Sequence, residues 1–152
     1  MEPVVKVENL SKKFGEFIAT NAISFEVNKG EIFGFLGANG AGKTTAMRML
    51  SGLLTPSSGQ AFVAGFDVAT QAELVKKNIG YMSQKFSLYE DLTIQENIEF
   101  YGGIYGLSRQ EIKDRSKGII DKFQLASVKN KLVKTIPLGW KQKLAFALAL
   151  IH

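Results

Sequence analysis

Apolar residues fall in two rhythms along this chain. Through the first half they alternate with polar residues or form short unbroken runs. Through the second half they recur every three or four positions. Val4 to Leu10 is rich in Val and reads as a strand, and Ser11 to Gly15 as a turn. Ile23, Phe25 and Val27 alternate with Ser24 and Glu26, the pattern of a half-buried strand. Asn28-Lys29-Gly30 turns into Ile32 to Leu36, an apolar run that predicts a buried strand, and Thr45 to Leu50 reads as a helix stopping at Gly52. After the loop from Thr55 to Gly59 comes a short strand, Gln60–Ala64. Three pairs then mark helix starts: Thr70 with Glu73, Thr93 with Glu96, and Ser108 with Glu111. In each, the hydroxyl can accept a free backbone N–H while the carboxylate reaches back to the cap. The helices they open run to Lys77, Tyr105 and Phe123. Ile94, Ile98, Tyr101 and Tyr105 share one helical face, as do Ile112, Ile119, Ile120 and Phe123, and both stripes read as core. Ile79 to Met82 is a strand candidate ending at Ser83-Gln84, and Lys141 to Ile151 reads as a last helix.

The 152 residues suffice for one domain with its own core. With 45% hydrophobic and 22% charged residues the balance is that of a globular protein. The absence of Cys excludes disulfides and Cys-ligated zinc, and is compatible with a reducing cytoplasm. The start of the chain lacks the apolar core of a secretory signal, and the late apolar run from Leu144 to Ile151 falls short of the roughly 20 residues a spanning helix needs. The net charge of +5 describes a solvated basic surface, or attraction to nucleotide, nucleic acid or an anionic membrane face. No basic cluster with interleaved aromatics is visible, so nucleic acid is not an expected partner. His152 is assigned no role.

Between the apolar run and the helix at Thr45 lies Gly37-Ala38-Asn39-Gly40-Ala41-Gly42-Lys43-Thr44, which fits G-x-x-x-x-G-K-[ST]. A triphosphate packs several negative charges into a small volume. Inward-pointing backbone N–H groups of a tight loop can surround it, and glycine follows such a path without Cβ clashes. The helix start adds unpaired N–H groups and a positive dipole end. Lys43 supplies an ammonium for the β- and γ-phosphates and Thr44 a hydroxyl for Mg²⁺. Four fixed positions of this kind match by chance on the order of once in 10⁴ to 10⁵ starts, so a match here, between a strand and a helix, points to nucleotide.

With these motifs in order, the sequence resembles the nucleotide-binding domain of an ABC transporter along essentially its whole length. The resemblance implies an α/β fold: a P-loop NTPase core with an antiparallel β subdomain and an α-helical subdomain, here incomplete. Residues 1–84 and the last helix would belong to the core and β subdomain, and residues 85–135 to the helical subdomain. It implies ATP and Mg²⁺ as ligands, with the loop from Gly37 through Ala38, Asn39, Gly40, Ala41, Gly42, Lys43 and Thr44 to Thr45 on the phosphates. Phe14 stands where the family places an aromatic against adenine; in a chain with 11 Phe residues, a core role is the alternative. Gln84 matches the glutamine that, with Thr44, ligates Mg²⁺. The segment after it, Lys85 to Thr93, is the expected contact with membrane-spanning permease subunits. Ile136-Pro137-Leu138-Gly139-Trp140 stands where the family has its Leu-Ser-Gly-Gly-Gln signature, which meets the ATP of a second ABC ATPase domain, in a homodimer or in tandem. One glycine remains, Pro137 replaces the serine and Trp140 the glutamine. This spelling resembles a variant in bacterial ABC-2-type export ATPases.

The family's Walker B Asp and Glu and its switch His would follow the last helix, and none of them occurs in these 152 residues. The chain is therefore expected to be the N-terminal part of a larger ATPase domain, able at most to bind nucleotide weakly and not to turn it over. Strands flanking the P-loop strand are also missing, which predicts an exposed, association-prone edge. The whole protein is expected at the cytoplasmic face of the membrane, coupling ATP binding and hydrolysis to export. The alternatives are a soluble ABC-type ATPase of DNA repair or translation, or a nucleotide-binding module without hydrolysis.

Overall fold

A computed structural model describes residues 3–83 and 85–152. The chain divides into two compact units, Met1–Ile79 and Gly80–His152.

The first unit is built on an antiparallel sheet with strand order β2-β1-β3-β4: β1 (Val5–Phe14), β2 (Phe17–Val27), β3 (Ser58–Val63) and β4 (Phe66–Asp67). The expected turn after Leu10 is not there. β1 continues to Phe14, and only Gly15-Glu16 turn the chain. The ladder instead absorbs irregularities around Asn9 and Leu10. Two serines of the strands stabilise them: Ser24 Oγ accepts from Asn9 N at 2.8 Å, and Ser11 Oγ accepts from Ala22 N at 2.7 Å. Polar side chains thus take backbone donors that a regular ladder would have paired. Helices α1 (Lys43–Leu50) and α2 (Ala72–Asn78) complete the unit. Val7, Leu10, Met49, Ala61, Val63, Val68 and Val75 form its core.

Two expected elements differ here. Thr70 does not cap α2: its hydroxyl donates to Asp67 Oδ1 at 3.0 Å, and Gln71 holds the cap position with no side-chain bond to the helix. Asp67 Oδ1 also accepts from Ala69 N and Thr70 N, a compact turn that holds its carboxyl below the usual carboxylate range. The run Ile32–Leu36 is not a strand. Phe33 stacks on Phe25 with ring centres 4.8 Å apart, and Phe35 lies tilted 5.6 Å from the same ring. The alternate residues are bare, Ile32 at 99% exposure and Leu36 at 93%. The apolar alternation is real, but no described strand lies beside it to accept its ladder bonds.

The second unit is helical: α3 (Ile94–Ile104), α4 (Arg109–Lys122), a single 3₁₀ turn (Val133–Thr135) and α5 (Leu138–Ala149). Both capping boxes form as the sequence predicts. Thr93 and Ser108 accept from Glu96 N and Glu111 N, and both carboxylates return to the cap N–H. Ile94, Ile98, Leu125, Val133, Leu144 and Leu148 are buried together. The last helix contributes Leu144 and Leu148 to the core of this unit. It begins at Leu138, three residues before the expected start. The strand candidate Ile79–Met82 has no ladder, and Tyr81 and Met82 are exposed.

Candidate functional site

The loop from Gly37 to Gly42 and the first turn of α1 form one feature. Gly40 and Gly42 have φ of +84° and +80°, the left-handed region that glycine enters without strain. At Gly42 a second constraint applies. A Cβ there would fall 2.0 Å from the carbonyl oxygen of Ala19 on β2, so only glycine fits between loop and strand. Thr20 Oγ1 stands 3.5 Å from Gly42 O on the same approach. Ala41 N donates to Ala38 O at 3.1 Å and closes the loop.

α1 starts directly from Gly42 with no side-chain cap and no acidic residue in its first turn. The first intrahelical bond is Ala46 N to Gly42 O. The N–H groups of Lys43, Thr44 and Thr45 are therefore left for a partner outside the helix, at its positive end. Most helix starts satisfy such donors with Ser, Thr, Asp or Asn. Here the sequence withholds a cap, which is what an anion site at a helix start requires. The Lys43 ammonium folds back over the loop and donates to Gly37 O and Ala38 O, both at 2.6 Å. Thr44 is exposed beside it. Gly37 and Ala38 are bonded to the Lys43 ammonium, Thr44 and Thr45 follow it in the first turn of α1, and Asn39, Gly40 and Ala41 are exposed. Three acceptors of high charge can be met by one ammonium and several amide hydrogens. Thr44 Oγ1 and phosphate oxygens offer the oxygen ligands Mg²⁺ prefers. Among the described residues no cluster of His, Cys, Asp or Glu is arranged to hold a metal alone.

Phe14 ends β1, paired across the hairpin with Phe17, and is 51% exposed with Lys12 Nζ 5.3 Å from its ring centre. It is not part of the core, so an open aromatic face is offered at this hairpin. Gln84 lies outside the described residues. In the helical unit, Pro137 is the N-cap of α5 in extended backbone, one position earlier than the first helical turn. Ile136 is buried, Leu138 and Gly139 are exposed, and Trp140 packs partly buried on the helical core with Lys143 Nζ 4.7 Å over its ring. Trp140 thus packs its ring on the core in the first turn of α5.

One residue of consequence escaped the sequence reading. Asn97 is fully buried on α3. Its Oδ1 accepts from Tyr89 N at 2.9 Å, and its Nδ2 donates to Tyr89 O at 3.0 Å and Thr93 O at 2.9 Å. It thereby fixes the loop that ends the expected contact segment. Its only sequence signal was a polar residue inside the apolar stripe of α3.

A sequence model of the family described as ABC transporter matches residues 20–152. The chain belongs to the ABC transporter family. It is 44% identical over 151 residues to the probable multidrug ABC transporter ATP-binding protein YbhF of Escherichia coli K12, covering 99% of this chain and 26% of that protein. It is 42% identical over 135 residues to the ABC transporter ATP-binding protein NatA of Bacillus subtilis, covering 88% and 55%. The chain thus spans between about a quarter and about half the length of these relatives. An ATP-binding subunit of an ABC transporter superposes with a TM-score of 0.81 at 28% identity, covering 97% of this chain and 62% of that one. CbiO1 from Clostridium perfringens gives a TM-score of 0.87 at 24% identity, covering 99% and 62%, a likeness of fold. As an ABC ATPase domain, the chain shows the antiparallel sheet and the helices of an incomplete P-loop α/β fold. Among the described residues no helix is long and apolar enough to cross a membrane.

Proposed function

We propose that this chain is the nucleotide-gripping part of the ATP-binding subunit of an ABC exporter, which couples ATP binding and hydrolysis to export. The observation that carries this reading is the uncapped start of α1 behind a glycine loop, with Lys43 Nζ 2.6 Å from two loop carbonyls. On nucleotide binding the ammonium exchanges those carbonyls for phosphate oxygens. The loop and first-turn amides take the remaining phosphate charge, Thr44 and Gln84 hold Mg²⁺, and Phe14 covers the adenine. The relatives' names as ATP-binding proteins of transporters support the same role. Lys43→Ala in the whole protein is expected to abolish ATP affinity, because a methyl group leaves phosphate charge unmatched. Undiminished ATP binding by calorimetry would overturn the reading.

Permease subunits would meet Lys85–Thr93 at the cytoplasmic face of the membrane. This segment and α3 present Tyr89 and Phe100, both exposed, with ring centres 4.5 Å apart. Beside them a cavity of about 130 Å³ is lined by Phe86, Leu88, Tyr101 and Tyr105. An aromatic, partly open surface of this kind suits an inserted protein element. A second ATPase domain would approach the exposed Leu138 and Gly139 at the start of α5, where two helix N–H groups have no partner in the helix. With Pro137 in place of serine, that contact is made by backbone and dipole alone.

Hydrolysis needs a placed metal and a placed water as much as a phosphate grip. These 152 residues hold no acidic pair after α5, so we expect the isolated chain to release no phosphate above a Lys43→Ala control in a malachite-green assay. Turnover by this chain would mean that another carboxylate serves.

A further inference from the structure

The helical unit carries 11 of the 19 basic side chains but only 7 of the 14 acidic ones. The surplus is not evenly spread. Arg109, Lys113 and Lys117 follow one another at intervals of four along α4, so they form a row on one face, each about 6 Å from the next along the axis. The row borders a groove of about 720 Å³ that also receives Lys129 from the loop after α4. All four side chains are exposed. The ion pairs among the described residues are Lys6–Glu8, Lys76–Glu73, Lys134–Asp91 and Lys141–Glu90, so none of these four cations has a carboxylate partner.

Two carboxylates, Glu99 and Asp121, also line the groove, leaving the cations in excess. Glu99 is occupied by an uncharged donor, Gln95 Nε2 at 2.7 Å. Buried Ser116 donates to Gln95 Oε1 at 3.1 Å, so that side chain is satisfied as well. Ile112 and Ile120 add partly buried apolar surface. The groove therefore combines an apolar strip with four cations against two carboxylates, an excess of positive charge with no ion pair drawn within it.

We propose that this groove is a binding site for a phosphate-bearing ligand, separate from the P-loop. Its volume falls in the range of small-molecule sites, roughly 300–1,000 Å³. Arg109 offers a fork matched to two phosphate oxygens, and the lysines act as movable point charges. The isoleucines take the ring or chain that bears the phosphate. Two sources share this chemistry, a free phosphorylated metabolite and the headgroup of an anionic lipid. The proposal does not depend on the nucleotide reading, because it uses no residue of the P-loop.

The test uses the full-length protein with Lys43→Ala, so that the P-loop does not compete. Pyrophosphate is titrated in by calorimetry, and flotation is measured with phosphatidylglycerol and with phosphatidylcholine vesicles. The expected result is saturable pyrophosphate binding or selective flotation with phosphatidylglycerol. Either should weaken at least ten-fold in K113E/K117E and persist in K113R/K117R, with circular dichroism unchanged in both variants. Pyrophosphate binding without flotation assigns a free ligand, and flotation assigns the headgroup. Failure of both probes, or equal response in the charge-reversed variant, overturns the site.

Discussion

Phe14 illustrates what a single residue's surroundings decide. The sequence allows a core phenylalanine or an aromatic platform, and half-exposure at a hairpin end removes the first. Truncating it therefore costs the fold little. Phe14→Ala is expected to weaken ATP binding in the whole protein by about 1–3 kcal/mol, the range for a base stacked on an aromatic side chain, with the urea midpoint unchanged. Calorimetry and a denaturation curve on the same variant separate the two effects, and unaltered ATP affinity would leave Phe14 with no part in binding nucleotide. The P-loop residues were legible because their chemistry is local: the loop, the missing cap and the ammonium lie within nine positions of one another. Asn97 was not, because its partner Tyr89 approaches only once the loop before α3 has folded back onto the helix. A polar residue in an apolar stripe says that something must satisfy it, not what.

At the scale of elements, caps separate the boxes that form from the one that does not. Thr93 and Ser108 stand free to accept, and α3 and α4 begin where they predict. Thr70 is drawn to Asp67, a competitor three residues upstream that sequence spacing alone does not rank against the helix. The formed boxes make a pH prediction. The Glu96 carboxyl is held below its ordinary value of 4.5 by the Thr93 backbone and hydroxyl, and that of Glu111 by the Ser108 hydroxyl and backbone. A carboxylate whose pKa is depressed in the folded state contributes stability above its unfolded value, and loses it as pH falls through the folded one. Helix content followed by circular dichroism should thus decline below about pH 4.5. In E96Q/E111Q that decline should be shallower, from a less stable starting point at pH 7. An identical acid profile in the double variant would remove these caps from the acid response. The strand read at Ile32–Leu36 failed for a different reason. Its apolar run is present, with Phe33 and Phe35 against Phe25, but a strand is a relation between two segments, and a pattern in one cannot supply the other.

At the scale of the whole molecule, the bare residues Ile32 and Leu36 are the clearest liability, since unpaired apolar backbone invites another chain. The 152-residue chain is expected to self-associate at micromolar concentration in light scattering, and I32K/L36K should reduce that association. A monodisperse unmodified chain would contradict it. The helical unit is the opposite case, because the start of α3 is bonded to the stretch before α5. Residues on either side of α3's start are bonded to the stretch before α5: Ile94 N to Lys131 O, Val133 N to Leu92 O, and Lys134 N to Glu90 O. Lys134 and Lys141 clasp Asp91 and Glu90 at 2.7 and 2.8 Å. Together with the bonds from Asn97 to Tyr89, these contacts fasten the loop before α3 to the stretch that leads to Pro137. The loop at Glu90 and Asp91 is thereby held to Lys134 and to Lys141, the latter in the first turn of the last helix, so a shift of that loop strains both anchors at once.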